Sequence, residues 1–316
     1  MNDGGMAEVA ASWRMPVNPG TALQQGISLA RRTRAAIWVL YLINLGLAVI
    51  AAFPIYRGIL RFTGDSLMGQ QLASGFSLDW FFDFSHNSPG SLDRYASFIL
   101  LVGLLSIPIN TVLAGGVLGR FLQPDSTFSL RAFFQDTGRY AWRLIRLLVL
   151  GLVCYWILFR IFRQGLMNLI ETRTYDWQSD RTVFALRLGA SLVLLFGLGL
   201  LNLVIDYARV KLVREDGASA VEAFLSSLGF ALSRFRKAAT VYALPTLASL
   251  ALLGLYWLVV PWSLINAPEA AQGLGRYREP LAVALLFVGQ QAVMFGRYWL
   301  RVATWASEWS YYSASR

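Results

Sequence analysis

The sequence predicts an all-α membrane protein with six transmembrane helices in three repeated units, each unit preceded by a cytoplasmic interfacial amphipathic helix. Three observations carry this. Hydrophobic residues make up 56% of the 316 positions against 15% charged, with a mean hydropathy of +0.50, too apolar for a soluble domain of this size. Nearly uncharged runs, suited to the ~30 Å hydrocarbon core of a bilayer, occur at 35–53, 95–118, 147–159, 183–205, 238–260 and 281–296. Finally, a glycine is followed five residues later by arginine and three further on by another base, at Gly26/Arg31/Arg34, Gly138/Arg143/Arg146 and Gly229/Arg234/Lys237. An apolar run follows each instance directly, as expected of one unit used three times.

Residues 1–20 contain no apolar stretch and carry Asp3, Glu8, Arg14 and two prolines, which reads as a disordered cytoplasmic tail without a cleavable signal peptide. A single domain over 21–312 follows, with units at about 21–120, 126–210 and 217–301. In the first unit, Thr21 and Gln24 have capping-box spacing ahead of a thin stripe of Leu23, Ile27 and Ala30. The outer loop 54–94 crowds Phe76, Leu78, Trp80, Phe81, Phe82 and Phe84 together, a helix on the outer leaflet or a lid. Pro108 kinks the second span, and Gly115 with Gly119 forms a GxxxG packing contact.

The second unit repeats the pattern. Leu130, Phe133, Phe134, Tyr140 and Ala141 give the amphipathic stripe, and the following apolar run is the shortest, thirteen residues between Arg146 and Arg160. Both arginines are expected to snorkel to opposite headgroup layers and so recover the missing length. Arg187 in the fourth run snorkels likewise. In the third unit Ser219 and Glu222 form a capping box before Val221, Phe224, Leu225, Leu228, Leu232 and Phe235, and Pro245 kinks the fifth span. At an offset of 91 residues, Asp125 matches Asp216, Ala132-Phe133 matches Ala223-Phe224, and Arg146 matches Lys237.

Orientation follows from the bases between runs. Eighteen lie on the side of the termini and nine on the other, so both termini are expected in the cytoplasm of a bacterial inner membrane. The net charge of +10 points to anionic headgroups, not nucleic acid, because the arginines flank apolar runs instead of forming a solvated basic face. Arg31, Arg34, Arg143, Arg146, Arg234 and Lys237 are the expected membrane-interface anchors. Cys154 is the single cysteine and lies within a span, so no internal disulfide forms.

Catalytic chemistry has few candidates. His86 is the only histidine, which removes His-pair metal sites and His-based triads; no phosphate-binding glycine loop occurs. No cofactor or metal is expected. Each even-numbered run ends in a small residue and an arginine, Gly119-Arg120, Ala208-Arg209 and Gly296-Arg297. These anchor the span ends, or gather around an anionic site with Asp206. Asp206 either pairs locally with Arg209 or serves as an ion or proton site. Asn44, Asn110, Asn202, Gln290 and Gln291 are expected to hydrogen-bond between helices.

The stretch Asp206-Tyr207-Ala208-Arg209-Val210, the Ala223-Phe224 helix and the outer stretch from Pro54 to Asp83 resemble a loose group of bacterial six-span proteins. That group includes the membrane domain joined in some proteins to glycerophosphodiester phosphodiesterases. The resemblance implies a six-span fold and no phosphodiesterase activity, since no such domain is present. It leaves three readings of function. The first is a non-enzymatic protein contacting lipids or partner proteins, the second a transporter or channel-like protein for an ion or small amphiphile, and the third a lipid-acting enzyme.

Overall fold

The computed structural model describes residues 18–64, 78–124, 126–175, 180–270 and 278–315, with side chains for all but 259–270 and 278–283. Every regular element among them is helical. In chain order these are α1 (Pro19–Arg32), α2 (Arg34–Thr63), α3 (Leu78–Asn87), α4 (Ser91–Phe121), α5 (Leu130–Arg160), a π-helical turn Ile161–Met167, α6 (Asn168–Thr174), α7 (Asp180–Arg214), α8 (Ala220–Ser233), α9 (Phe235–Ala270) and α10 (Arg278–Ala314). Five described helices are long and apolar enough to cross a membrane: Arg34–Thr63, Ser91–Phe121, Leu130–Thr174, Asp180–Arg214 and Phe235–Leu258. Only 17–28% of each apolar window is buried within the protein. Apolar surface of that extent, left uncovered by the described residues, fits a nonpolar surrounding medium. The sixth expected run, 281–296, lies on α10, and its first three residues fall outside the described side chains. The expected tail 1–20 falls outside the described residues up to position 17, as do Asp125 and Phe76.

The chain divides into two compact units. One comprises Met1–Thr33, Thr111–Thr246 and Val302–Arg316, the other Arg34–Asn110 and Leu247–Arg301. The first unit is held by small residues and one continuous face. α5 buries Phe133, Thr137, Tyr140, Leu144, Leu147 and Gly151, a run of alternating threes and fours that keeps one helix face inward. The α4 glycines lie against it: a Cβ on Gly116 would stand 2.9 Å from the Phe133 ring, and one on Gly119 2.7 Å from Asp136 Cβ. The Gly115/Gly119 pair is thus a contact between neighbouring helices of one chain. α1 presents Ala22, Gly26 and Ala30, and a Cβ on Gly26 would stand 2.5 Å from the backbone of Ser307 on α10. One turn beyond Gly151 on the same α5 face, Tyr155 donates to Asn202 of α7 at 2.8 Å.

α8 divides its faces unexpectedly. The buried side is Ala220, Ala223, Ser227 and Ala231, while Val221, Leu225 and Leu232 are exposed by 56%, 59% and 56%. The larger apolar side chains therefore turn outward, and the small ones pack. Ser219 caps the helix, its Oγ accepting from the Glu222 N–H at 3.1 Å. α1 starts earlier than its expected Thr21 box, at Pro19, where a missing N–H costs nothing.

The three amphipathic segments differ. α1 and α8 each break from the following span, at Thr33 and Arg234, whereas the second copy runs unbroken through α5. Arg139 and Arg143, one turn apart on one face of α5, both reach Asp216. The thirteen-residue run sits within a 45-residue helical stretch, Leu130–Thr174. Arg146 lies over Trp142 at 4.9 Å and Arg160 over Trp156 at 5.2 Å, each one turn back along the helix.

In the second unit, Asn44 of α2 and Asn110 of α4 donate to each other at 2.8 Å, and Tyr41 donates to Gln291 of α10 at 2.8 Å. Such bonds contribute about 0.6 kcal/mol each inside a membrane. Trp38 of α2 packs on Phe295 of α10 with ring centroids 4.5 Å apart. The aromatic outer stretch splits on α3: Trp80 and Phe84 stack at 5.2 Å and cover Phe62, while Leu78 and Phe82 remain exposed.

Candidate functional site

The charged side chains of the first unit mostly neutralise one another. Arg120, at the end of α4 and only 8% exposed, donates through Nε to Asp136 Oδ2 at 2.9 Å and through a terminal nitrogen to the same oxygen. Asp206, 1% exposed, accepts from Arg209 at 2.7 Å, the local pair allowed by i,i+3 spacing. Lys211, also buried, donates to Ser226 of α8 at 2.6 Å and lies 3.6 Å from Glu222. Tyr312 of α10 donates to Glu215 at 2.9 Å. Asp216 receives Arg139 and, at 2.8 Å, Arg143. The Arg139 hydrogen bond is the largest cause holding the Asp216 carboxyl below its usual range, with Arg143 adding to it. These bonds join α4 to α5, the α7–α8 connection to α5 and to α10, and α7 to α8. They fasten helices and leave little free charge.

The four residues proposed from sequence as a polar site therefore do not act alike. Arg120 and Arg209 each have their own carboxylate, and Asp206 belongs to Arg209. Arg297 lies in the second unit and is exposed. Of the six interface anchors, Arg143 is engaged by Asp216, Arg146 covers Trp142, and Arg31 and Arg34 are exposed. Arg187 sits 3.9 Å from Glu171. Among the described residues, no three His, Cys, Asp or Glu side chains gather as metal ligands.

Uncompensated charge collects at the α8–α9 break. Here Arg234, Arg236 and Lys237 line a cavity of about 750 Å³ with Tyr311 of α10. Arg234 donates to the Ser315 carbonyl at 3.0 Å and lies over Phe230; Arg236 and Lys237 are exposed and have no carboxylate partner among the described residues. Burial pushes the Tyr311 hydroxyl above its usual range, with Arg234 opposing. The sequence pattern found Arg234 and Lys237. It missed Arg236 and Tyr311, the latter because it lies beyond the last apolar run. Asp136 and the wholly buried Glu308 were missed for a related reason: they stand outside every motif, and only the fold gives them neighbours.

Fold and site together define an all-α membrane protein with a basic cluster at the α8–α9 junction. No protein-family model, curated protein or solved structure matches the chain.

Proposed function

We propose that the chain is a non-enzymatic multi-pass protein of the bacterial cytoplasmic membrane that binds anionic lipid headgroups through its interfacial helices. In this reading α10 supplies a sixth span, both termini are cytoplasmic, and α1 and α8 lie in the interface. The observation that carries it is α8 with its junction: Val221, Leu225 and Leu232 turn outward, and the same helix leads into Arg234, Arg236 and Lys237 without carboxylate partners. An outward apolar face beside free cations matches the boundary between acyl chains and headgroups. Against ion transport stands the compensation of Asp206 by Arg209, which leaves that carboxylate no spare charge for a coupling ion.

The test is native mass spectrometry of the full chain in mild detergent with phosphatidylglycerol or phosphatidylcholine. Retention of phosphatidylglycerol is expected in the wild type. The R234Q/R236Q/K237Q variant should lose it by roughly a hundredfold, at about 1 kcal/mol for each base near a headgroup layer. Equal retention of both lipids by the wild type, or undiminished phosphatidylglycerol retention by the variant, overturns the proposal.

A further inference from the structure

A second basic cavity, of about 670 Å³, lies in the other unit at the far end of α2, where α2 meets the start of α4. The local sequence builds it. Arg57 and Arg61 are one turn apart on α2 and share a face. Gly58 between them lets α4 approach: a Cβ there would stand 2.7 Å from Tyr95 Cζ. The chain enters α4 through Ser88-Pro89-Gly90-Ser91, with the Ser91 N–H donating to the Ser88 carbonyl at 3.1 Å and Gly90 at φ +71°. Proline then glycine at the two central positions is the type II turn arrangement. It delivers Ser91 and Arg94 to the cavity at the N-terminus of a 31-residue helix.

Three features of this cavity call for an anion. Arg57, Arg61 and Arg94 all line it, no acidic side chain does so among the described residues, and none of the three has a carboxylate partner there. Arg94 Nε donates to the Gly90 carbonyl at 3.1 Å, which steadies the side chain and leaves its terminal nitrogens to donate elsewhere. Ser91 is only 4% exposed, and its Oγ has no hydrogen-bond partner, although a buried hydroxyl is normally satisfied. The first turn of α4 adds N–H groups without intrahelical acceptors and the positive end of its dipole. The remaining wall is aromatic, with Phe53 beneath the Arg57 guanidinium at 4.9 Å, and Phe62 and Phe84 alongside.

The geometry points to a binding site for a phosphomonoester in this cavity. A monoester carries a charge of about −1.5 to −2 at neutral pH, the better match for three arginines than a monoanionic diester. The aromatic wall accepts an attached apolar chain, and the volume falls within the ~300–1,000 Å³ usual for small-ligand sites. The site goes beyond the lipid contacts proposed for α8 and does not depend on them.

The experiment is titration calorimetry on the full chain in detergent micelles, with phosphatidate, diacylglycerol of the same acyl chains, and inorganic phosphate. Phosphatidate is expected to bind and diacylglycerol not to. Arg57→Gln and Arg94→Gln should each weaken binding about tenfold, the scale of one charge-assisted hydrogen bond. The conservative R57K/R61K/R94K variant, which keeps the charge and loses the forked donors, should retain partial affinity and guards against loss of fold. If inorganic phosphate binds as tightly as phosphatidate, the site stands with free phosphate as its ligand; if phosphatidate binds far more tightly, the ligand is a lipid. The inference fails if neither phosphate-bearing probe binds the wild type, if diacylglycerol binds as well as phosphatidate, or if the arginine variants bind unchanged.

Discussion

The three glycines of the repeated pattern should respond to alanine in opposite directions. On an exposed helix, Gly→Ala stabilises by about 0.5–1 kcal/mol, because alanine loses less backbone freedom on folding. Gly138 and Gly229 have nothing within 4 Å of a built Cβ, so G138A and G229A should gain this much. Gly26 faces the Ser307 backbone at 2.5 Å, about 1 Å inside ordinary contact. A backbone cannot swing aside as a side-chain tip does, so α1 must lift from α10 by about that distance. A gap of 0.5–1 Å already forfeits a quarter to a half of the dispersion attraction along a contact, here involving Ala22 and Ala30, both fully buried. Net destabilisation of about 1–3 kcal/mol is expected for G26A, the usual cost of overpacking. Thermal unfolding in detergent, followed by tryptophan emission, should show G26A melting below the wild type and the other two above it. If G26A is as stable as G138A, α1 does not lie flush on α10.

Two further outcomes bear on the charged belt. Asp206→Asn leaves the nearly buried Arg209 without its carboxylate, so it should destabilise by about 3 kcal/mol while ion flux in reconstituted vesicles stays the same; a flux that depends on Asp206 would restore the transport reading. Because Arg139 and Arg143 depress the Asp216 carboxyl, its ion pairs contribute above the usual carboxylate range and are lost as pH falls through the depressed folded value. Hydrogen-exchange protection around 214–218, taken relative to the intrinsic rate at each pH, should therefore fall below about pH 4. The effect is modest, since Asp216 is half exposed, and it should vanish in D216N; an acid-dependent loss of protection in that variant would place the cause elsewhere.

The apolar architecture was legible because a bilayer imposes it. Long uncharged runs became helices, and the amides Asn44, Asn110, Asn202 and Gln291 found partners on other helices, since an amide in hydrocarbon has few alternatives. The repeat was legible as spacing but not as role. Gly26 mediates a close contact, Gly138 and Gly229 do not, and nothing in the local sequence separates them. Arg57, Arg61 and Arg94 entered the orientation count as three separate bases. Their convergence depends on a glycine on one helix and a proline-glycine turn before another, a coincidence visible only once α2 and α4 are paired. The pairings of Asp136 and Asp216 were hidden likewise, because partners 16 and 73 residues away in sequence leave no periodic trace.

The α8–α9 junction also has a consequence for the electric field across the membrane. On the orientation proposed above, Arg234, Arg236 and Lys237 sit on the electrically negative side, within four consecutive residues. Moving one elementary charge across costs about 2.3 kcal/mol per 100 mV, so reversing this hairpin in an energised cell would cost about 7 kcal/mol for these side chains alone. The junction acts as a ratchet on topology, its hold rising with membrane potential and relaxing in a depolarised vesicle.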